Sequence, residues 1–467
     1  METQTKERNS FSGQLGFVLA AAGSAVGLGN IWRFPYVTAK DGGGLFLLIY
    51  IIFALTFGFT LLITEVSIGR KTKEAPLTAY KQLSPKWGWL GILAFVVPFL
   101  IYPYYCVIGG WVIKYMCAFI CGQGANTVAD GYFTGFITAQ WQPILFTLLF
   151  AGACFYIVYK GVEKGIEKWS RILMPALAII VLFIAIYGLF LKFTDADGVT
   201  RTGLQGAKIY IVPNFEGLTV KRFLQVCLDA IGQLFYSLSI AMGIMVAYGS
   251  YMKKEVKLEK SVNQIIAFDT GIAFLAGLII IPTVFVFSGT EGLSAAGPGL
   301  IFVALPKIFA TLGIFGNILG ALFFIMVLFA ALTSAVSLLE AITSSLIDRN
   351  KWSRKKATLV MAGFTFLVSL IVCLGYNIWY FDLTLPNGSV GQILDVLDYG
   401  TNNVLMPIIG LLTCVLIGWI CKPKTITDEI SFNGEKFGRK GLYNVMVKFV
   451  APVLLFIILL TGFGVFN

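Results

Sequence analysis

The chain contains no histidine and few charged residues. Of its 467 residues, 57% are hydrophobic and only 13% are charged. Without histidine there is no imidazole acid–base chemistry, and the commonest metal-binding side chain is missing. No pairing of a nucleophile with a base is visible, so the sequence argues against an enzyme. The eight cysteines fall mostly inside apolar runs and form no CxxC pair, which favours small buried side chains over a redox or metal site.

The apolar residues form runs long enough to cross a membrane. Taking about 20 apolar residues for each crossing, we predict eleven membrane spans, at residues 13–38, 44–68, 88–120, 143–159, 168–191, 221–252, 262–288, 313–347, 356–375, 392–420 and 444–466. The predicted fold class is therefore an all-α polytopic membrane protein.

The net charge of +11 could suggest a nucleic-acid partner, but the positions of the basic residues argue against one. If the N-terminus and every second connection face the cytoplasm, these segments hold 26 of the 35 Lys and Arg residues. This asymmetry is the positive-inside signal of membrane proteins. It predicts a cytoplasmic N-terminus and, after eleven spans, a C-terminus on the outside.

The first span is interrupted by residues that disfavour a helix. Gly23, Gly27, Gly29 and Asn30 lie within AAAGSAVGLGNIWRFP, and each glycine lowers helix stability by about 1 kcal/mol relative to alanine. One interpretation is a helix broken halfway across the membrane, with its free backbone groups facing an ion and a charged ligand. The alternative is a loose helix crossing packed through glycines, and the glycine pattern alone favours neither.

The sixth span carries a second polar interruption, Ser237–Leu238–Ser239, between Gly232 and Gly243. It lies five spans after the first, so spans 1–5 and 6–10 are predicted to be two copies of one unit. Because five is odd, the copies have opposite orientations in the membrane. Paired interruptions of this kind indicate a transporter site at the interface of the repeats. The eleventh span lies outside the repeat.

Domain boundaries follow from this division. We predict a cytoplasmic segment, a first repeat, an extracellular loop, a second repeat, a cytoplasmic loop and a final span, at 1–12, 13–191, 192–220, 221–420, 421–443 and 444–467. Gly165 and Pro175 suggest that the inner end of the fifth span unwinds.

Several polar side chains are predicted to lie inside the membrane. Asp269 in the seventh span costs about 2.5–3.5 kcal/mol at mid-membrane, which favours a functional carboxylate over a hydrogen-bonded structural one. Thr333 and Ser334 in the eighth span are candidate sodium ligands, although buried hydroxyls usually bond to the preceding helical turn. Glu65 and Glu340 are expected to brace the broken helices through backbone N–H groups, with a proton-carrying role left open.

Two pairs of opposite charges are candidate gates. Arg33 lies just outside the first interruption, and Asp398 lies near the start of the tenth span. Arg8 precedes the first span, and Asp348 ends the eighth. Exposed ion pairs contribute only about 0–1 kcal/mol, which suits a gate that must open. From the residues alone, ordinary interface charge is the simpler interpretation of Arg8 and Asp348.

The motifs GSAVGLGNIWRFP, GQLFYSLS, FAALTS and LDYGTNN resemble those of the neurotransmitter:sodium symporters. The resemblance covers nearly the whole chain and is nearest to the eleven-span bacterial amino acid symporters of that family. It implies a 5+5 inverted-repeat fold with broken helices 1 and 6, plus an eleventh helix, that co-transports sodium with an amine or amino acid. The expectation of paired broken helices derives from such transporters, so it is not independent of the resemblance.

By position, the resemblance also implies site residues. The first sodium site would comprise Ala25, Asn30, Ser237 and Asp269. The second sodium site would comprise Gly23, Val26, Ala330, Thr333 and Ser334. The substrate would be contacted by Ala25, Leu28, Gly29, Ile101, Tyr105, Tyr236, Ser237, Ser239, Met242 and Leu338. The gates would be formed by Arg33 with Asp398 and by Arg8, Asp348 and Tyr251.

Two departures from the family's pattern narrow the substrate. Family members that move monoamines have an aspartate at the position of Gly27, so a glycine there leaves room for the carboxylate of an amino acid. Members that need chloride have an uncharged residue at position 269, so Asp269 predicts chloride independence. The adaptable Met242 predicts a pocket for a large apolar or aromatic side chain.

The prediction is therefore a sodium symporter for a neutral amino acid in a bacterial inner membrane. Its partners would be the amino acid, sodium at two sites and membrane lipid, and the chain would be a monomer or a homodimer. Three alternatives remain: a carrier of another zwitterion or amine, an amino acid sensor that does not transport, and an ion channel.

Overall fold

The computed structural model describes residues 10–195, 198–294 and 297–465. Within these ranges, nine helices are long and apolar enough to cross a membrane, and a bent pair of helices makes a further crossing. The nine helices are span 2 to span 5 and span 7 to span 11, at Gly44–Thr72, Pro85–Ile120, Gln142–Tyr159, Val162–Leu189, Leu258–Ser288, Gly313–Asn350, Arg354–Leu374, Ile393–Ile420 and Lys440–Gly462.

Span 1 is broken near its middle, which decides between the two interpretations of its glycines. Its two halves, Gln14–Ala25 and Gly29–Lys40, are bent by 54° relative to each other. Gly23 stays inside the first half, and the second half begins with a wide turn, Gly29–Arg33, before the regular helix Phe34–Lys40. The break itself therefore occupies only residues 26–28.

Span 6 is also broken, between Val220–Ser237 and Ile244–Ser250. Three residues in the gap have positive φ values, namely Ser239 at 53°, Ala241 at 62° and Gly243 at 69°. This left-handed region costs about 1–3 kcal/mol for residues other than glycine. The chain therefore holds a strained, non-helical segment at the same place in its second half as the break in its first half.

Span 2 and the inner half of span 6 pack backbone against backbone. A Cβ atom added to Gly69 would lie 1.9 Å from the carbonyl oxygen of Val246, and one added to Gly249 would lie 2.3 Å from that of Val66. Only glycine permits so close an approach at these two positions. Span 3 stays helical through Pro98.

The connections carry short elements of their own. The helices among them are Pro76–Leu83, Tyr132–Ile137, Gly203–Ile211, Gly297–Gly299, Leu305–Thr311 and Lys424–Ile430. Two antiparallel hairpins pair Lys192–Thr194 with Thr200–Thr202 and Leu383–Thr384 with Val390–Gly391. The polar segment after span 5 is thus partly ordered as a hairpin and a helix.

The expected unwinding at the start of span 5 is not seen. Residues Val162–Glu167 form a wide helical turn that continues into Lys168–Leu189, with Pro175 inside that helix. The side chain of Glu167 is buried and accepts a hydrogen bond from the backbone N–H of Ser12, at 2.8 Å. This contact ties the segment before span 1 to span 5.

Candidate functional site

The break in span 1 turns polar backbone groups towards span 8. Ser334 Oγ lies 3.4 Å from the carbonyl oxygen of Gly23, 3.0 Å from that of Ser24 and 3.2 Å from that of Val26. Within the same break, Asn30 Oδ1 accepts a hydrogen bond from the N–H of Gly27 at 3.0 Å. Helix breaking therefore concentrates carbonyl oxygens around one hydroxyl.

Thr333 is adjacent to Ser334 but its hydroxyl is used differently. Thr333 Oγ1 donates to the carbonyl oxygens of Phe329 and Ala330, at 2.9 and 3.1 Å. This is the bond to the preceding turn that buried threonines commonly make. Among the residues assigned to the second sodium site, the carbonyl oxygens of Gly23 and Val26 lie next to the hydroxyl of Ser334. The other two, Ala330 and Thr333, are hydrogen-bonded to each other.

The break in span 6 is held by Glu65 of span 2. Glu65 Oε1 accepts a hydrogen bond from the N–H of Ala241 at 2.7 Å, and the carboxylate is almost fully buried. This is the bracing contact predicted for Glu65. Ser239 Oγ donates to the carbonyl oxygen of Ser24 at 3.0 Å, and the two hydroxyls are 3.1 Å apart. The two broken spans are therefore linked to each other.

Asp269 lies where the two breaks meet. Its side chain is fully buried, and its Oδ1 atom accepts hydrogen bonds from Asn30 Nδ2 at 2.7 Å and Ser237 Oγ at 2.9 Å. Tyr50 of span 2 donates to the Oδ2 atom at 3.5 Å. Span 7 thus delivers a carboxylate to residues of span 1 and span 6, which are more than 200 positions apart in the chain.

A small cavity lies between the two helix breaks on one side and spans 3 and 8 on the other. It offers about 40 Å³ to the centres of water molecules, which is room for about three of them. All ten predicted substrate contacts line it: Ala25, Leu28, Gly29, Ile101, Tyr105, Tyr236, Ser237, Ser239, Met242 and Leu338. Ser24 and Ile244 also line it and were missed from the sequence.

Two residues of the cavity wall bear on ligand binding. Tyr105 has a hydroxyl without a hydrogen-bond partner in the described part of the chain, and Gly27 has little space for a side chain. The hydroxyl of Tyr105 is buried and has no hydrogen-bond partner among the described residues. A Cβ atom added to Gly27 would lie 3.4 Å from this hydroxyl and 2.9 Å from Ser334 Oγ. The glycine is therefore required for the close approach of spans 1, 3 and 8. The unpaired hydroxyl points to a ligand with an acceptor atom.

A second cavity, which we call the Arg33 cavity, lies on the other side of Tyr236. It measures about 300 Å³, and its walls include Arg33, Tyr236, Asp395 and Asp398. Because Tyr236 lines both cavities, its ring is the partition between them.

The predicted ion pair between Arg33 and Asp398 is not formed in this conformation, although both side chains line the same cavity. The guanidinium of Arg33 lies 5.9 Å from the ring centre of Tyr236. Asp398 Oδ1 accepts hydrogen bonds from Tyr104 Oη at 3.0 Å and Asn402 Nδ2 at 2.7 Å. The Asp398 carboxylate is thus hydrogen-bonded to two uncharged donors and makes no ion pair with the Arg33 guanidinium.

The opposite gate is only partly described. Arg8 lies outside the described residues. Asp348 Oδ2 accepts a hydrogen bond from the N–H of Ala75 at 2.7 Å. The carbonyl oxygen of Tyr251 accepts from the N–H of Phe11 at 3.2 Å, so Tyr251 contacts the segment before span 1.

Glu340 does not brace a broken helix, contrary to the prediction. Its carboxylate forms two contacts with the guanidinium of Arg354, at 2.5 and 2.8 Å, and accepts a hydrogen bond from Tyr251 Oη at 2.6 Å. Arg354 begins span 9, which follows span 8 after a short turn. Glu340 is fully buried, and the start of the next span supplies the opposite charge of Arg354.

Comparisons with known proteins agree with this arrangement. Residues 8–125 and 134–467 match the model of the sodium:neurotransmitter symporter family. An uncharacterized sodium-dependent transporter of Bacillus subtilis, YhdH, is 33% identical over 98% of both chains. The human sodium- and chloride-dependent GABA transporter 2 is 26% identical over 92% of this chain and 76% of its own length.

A solved structure shows the same fold. The crystal structure of MhsT in complex with L-phenylalanine superposes with a TM-score of 0.83 and 34% identity, and the match covers 98% of this chain and 100% of that one. The fold is therefore the 5+5 inverted repeat with broken spans 1 and 6 and an added eleventh span. On its sequence, fold and paired helix breaks, this chain belongs to the sodium:neurotransmitter symporter family and is a sodium-dependent transporter, not an enzyme.

Proposed function

We propose that the protein imports a neutral, bulky hydrophobic or aromatic L-amino acid together with sodium, by alternating access and without chloride. The observation that carries this proposal is the buried carboxylate of Asp269, hydrogen-bonded to Asn30 and Ser237 at the meeting point of the two broken spans. A buried carboxylate among neutral oxygen-bearing groups is a site for a hard cation.

In the proposal, the first sodium ion binds beside Asp269. Its ligands are the carbonyl oxygen of Ala25, the side chains of Asn30, Ser237 and Asp269, and the carboxylate of the substrate. Asn30 and Ser237 are already held against Asp269 by hydrogen bonds of 2.7 and 2.9 Å. The shared substrate carboxylate makes sodium and amino acid binding mutually dependent.

The second sodium ion binds at Ser334. Three carbonyl oxygens of span 1 surround its hydroxyl within 3.4 Å, and two of them belong to the predicted ligands Gly23 and Val26. A cation at this point would receive the oxygen lone pairs, because the Ser334 hydroxyl can rotate its proton away. Ala330 and Thr333 supply the remaining oxygens.

The substrate is recognised by its charged ends. Its carboxylate meets the backbone N–H groups of Leu28 and Gly29 and the unpaired hydroxyl of Tyr105. Its ammonium faces the carbonyl oxygens at the two breaks and the hydroxyl of Ser239. Gly27 is essential here, because a larger residue would occupy the space between Tyr105 and Ser334.

The apolar walls, Ile101, Met242 and Leu338, receive the side chain. A space for about three water molecules is too small for a bulky amino acid, so the walls must move on binding. Met242 is unbranched and flexible and suits this adjustment. The phenylalanine in the MhsT structure, whose fold this chain shares, supports a substrate of this class.

Transport follows from alternate opening of the two sides. In this conformation Arg33 and Asp398 are apart, and Tyr236 borders both the substrate cavity and the Arg33 cavity. Substrate and sodium complete the site, and closure of the Arg33 side then allows the opposite side to open. Each sodium ion that moves down a potential of 100 mV supplies about 2.3 kcal/mol. The positive-inside pattern supports a cytoplasmic N-terminus, and the membrane of the proposal is a bacterial inner membrane.

The test is uptake into proteoliposomes. Radiolabelled phenylalanine, leucine, tyrosine, tryptophan, glycine and alanine are each offered with an inward sodium gradient, with chloride or gluconate as the anion. We expect sodium-driven accumulation that is equal in both anions. Accumulation only of glycine or alanine would refute the pocket assignment, and binding without flux would identify a sensor rather than a transporter.

A further inference from the structure

A larger cavity lies on the face of spans 2 and 7, away from the substrate site. We call it the span 2/7 groove, and it measures about 660 Å³, within the size range of small-molecule sites. Its apolar walls include Phe34, Ile51 and Ile266. Ile51 is 45% exposed, and in a membrane such a side chain faces hydrocarbon. The groove is therefore open to lipid.

One end of the groove carries a positive charge. Arg439, in the connection before span 11, lines the groove and donates from Nη1 to the carbonyl oxygen of Leu55 at 3.2 Å. Its guanidinium lies 4.6 Å from the ring centre of Phe59. Arginine has five N–H donors, so most of the donors of Arg439 are available to an anion.

The nearby carboxylates are engaged elsewhere. Glu435 accepts hydrogen bonds from the N–H groups of Leu258, Glu259 and Lys260, at 2.6 to 3.3 Å. Glu259 accepts one from the N–H of Gly438 at 3.3 Å. Among the described residues, no carboxylate lies within ion-pair distance of Arg439. Glu259 interacts with its charge at longer range, so the protein screens that charge only in part.

Two polar atoms inside the groove have no hydrogen-bond partner within the described ranges, namely Asn263 Oδ1 and Thr270 Oγ1. They lie seven residues apart on span 7, which corresponds to about 10 Å along a helix. Hydrocarbon alone would leave both atoms without a hydrogen-bond partner. The groove therefore suits an elongated molecule that is largely apolar and also carries polar groups able to reach these atoms.

We propose that the span 2/7 groove binds one anionic membrane phospholipid, with an acyl chain along Phe34 and Ile266 and the phosphate on Arg439. Lys436 and Lys440 flank Arg439 in the sequence. Basic residues near a membrane surface attract anionic lipids by about 1 kcal/mol each. The cationic part of a zwitterionic headgroup would be repelled by the same residues, so the site selects net negative charge.

The groove also touches the groups behind Asp269. Phe34 and Tyr50 form its inner wall, with ring centres 4.9 Å apart, and the Tyr50 hydroxyl lies 3.5 Å from Asp269 Oδ2. A chain packed against these rings holds Tyr50 in place against the carboxylate. Bound lipid therefore raises the sodium affinity of the first site, a consequence that rests on the proposed function.

The experiment uses the full chain in nanodiscs of phosphatidylcholine with or without phosphatidylglycerol. Native mass spectrometry counts the retained lipids, and sodium-dependent substrate binding gives the sodium half-saturation. We expect one retained phosphatidylglycerol and a half-saturation lowered about fivefold, the lower end of ordinary coupling between sites. Arg439→Gln should remove both effects, and Arg439→Lys should keep part of both.

A steric variant separates the groove from general surface charge. Gly271 borders the groove and a Cβ atom there meets nothing within 4 Å, so Gly271→Phe adds a bulky side chain at the groove with no clash at its Cβ. Its matched control is Gly152→Phe in span 4, where the added Cβ also meets nothing and which lies outside the groove. We expect Gly271→Phe to lose the retained lipid and the sodium effect, and Gly152→Phe to keep both.

Three results would overturn the proposal, and the first two are retention of phosphatidylglycerol by Gly271→Phe and equal retention of phosphatidylcholine by the parent protein. A sodium effect that persists in Gly271→Phe would also overturn it, since surface charge alone would then explain the effect. Lipid retention does not depend on sodium coupling. Failure of the proposed transport function would therefore leave the lipid result unchanged.

Discussion

The substitution Asp269→Asn tests the role of the buried carboxylate most directly. It removes one negative charge and keeps the size and the Oδ1 acceptor, so Asn30 and Ser237 can still donate to it. The variant should fold, because no hydrogen bond to Oδ1 is lost. Its first sodium site would then bind the cation with neutral oxygens only.

The magnitude follows from the contacts. Hydrogen bonds to a charged group contribute about 1.5–3 kcal/mol and neutral ones about 1 kcal/mol, so the bonds from Asn30 and Ser237 weaken by about 2 kcal/mol together. The direct attraction between unit charges 4 Å apart is about 4 kcal/mol at an effective dielectric constant of 20. At 1.4 kcal/mol for each tenfold change, loss of the direct attraction predicts a sodium half-saturation raised about 700-fold, whereas the weaker hydrogen bonds act on the stability of the site rather than on its sodium affinity.

The assay is sodium-dependent binding of the labelled substrate in chloride or gluconate. Chloride should restore part of the affinity of Asp269→Asn, because the hydroxyls of Tyr50 and Ser237 can then donate to a halide, and it should not affect the parent protein. Asp395→Asn, a carboxylate of the Arg33 cavity, is the matched control and should bind sodium normally. An unchanged half-saturation in Asp269→Asn, or a chloride requirement in the parent protein, would refute the reasoning.

Three further predictions concern the surroundings of the site. Glu65→Ala should lower the stability of the protein by about 1–3 kcal/mol, because it leaves the buried N–H of Ala241 without an acceptor, whereas Glu65→Gln keeps an acceptor and most of the stability. Gly27→Ala should weaken substrate binding about five- to 150-fold, because its Cβ would lie 2.9 Å from Ser334 Oγ and overpacking costs about 1–3 kcal/mol. Asp41 follows the last helix of span 1, Phe34–Lys40, and its Oδ1 atom lies 3.1 Å from Arg222 Nη2. Burial, with the charge of Asp229, raises the pKa of Asp41 to about 7 despite Arg222, so its stabilising contribution is complete below about pH 4 and is lost as the pH rises through 7.

Thermal unfolding of the purified protein measures the first and third of these predictions, and equilibrium substrate binding measures the second. Equal melting temperatures of Glu65→Ala and Glu65→Gln would contradict the bracing role. Unchanged binding by Gly27→Ala would mean that spans 1 and 8 have room to separate. The melting temperature of the parent should fall between pH 4 and 7 while that of Asp41→Asn changes less, and parallel curves would exclude Asp41 as the titrating group.

The two helix breaks were predictable from polar interruptions at matching places in the two halves, together with the family resemblance. Glycines and Asn30 in span 1, and Ser237 with Ser239 in span 6, mark the two places, but the glycines alone left a loosely packed continuous helix open. The cavity lining was predictable through the resemblance, which supplied the positions on spans 3 and 8 as well as those at the breaks. Ser24 was missed although it stands inside the glycine motif, because a single hydroxyl in an apolar run usually bonds to its own helix.

Contacts between distant spans could not be predicted in the same way. Glu340 finds Arg354 because spans 8 and 9 meet in a short turn, whereas from the sequence Arg354 counts only as a cytoplasmic charge. The separation of Arg33 from Asp398 depends on which side of the transporter is open, and one sequence encodes every such state. The span 2/7 groove requires the packing of helices about 200 residues apart.

The glycine contacts between span 2 and the inner half of span 6 have a mechanical consequence. With Gly69 and Gly249 placing backbone directly on backbone, seven residues of span 6 have no clearance to tilt independently. Any swing of Ile244–Ser250 must carry the 29 residues of Gly44–Thr72 with it. Ile244–Ser250 and Gly44–Thr72 therefore move as one rigid unit. This unit includes Glu65, which accepts the hydrogen bond from Ala241 in the break of span 6.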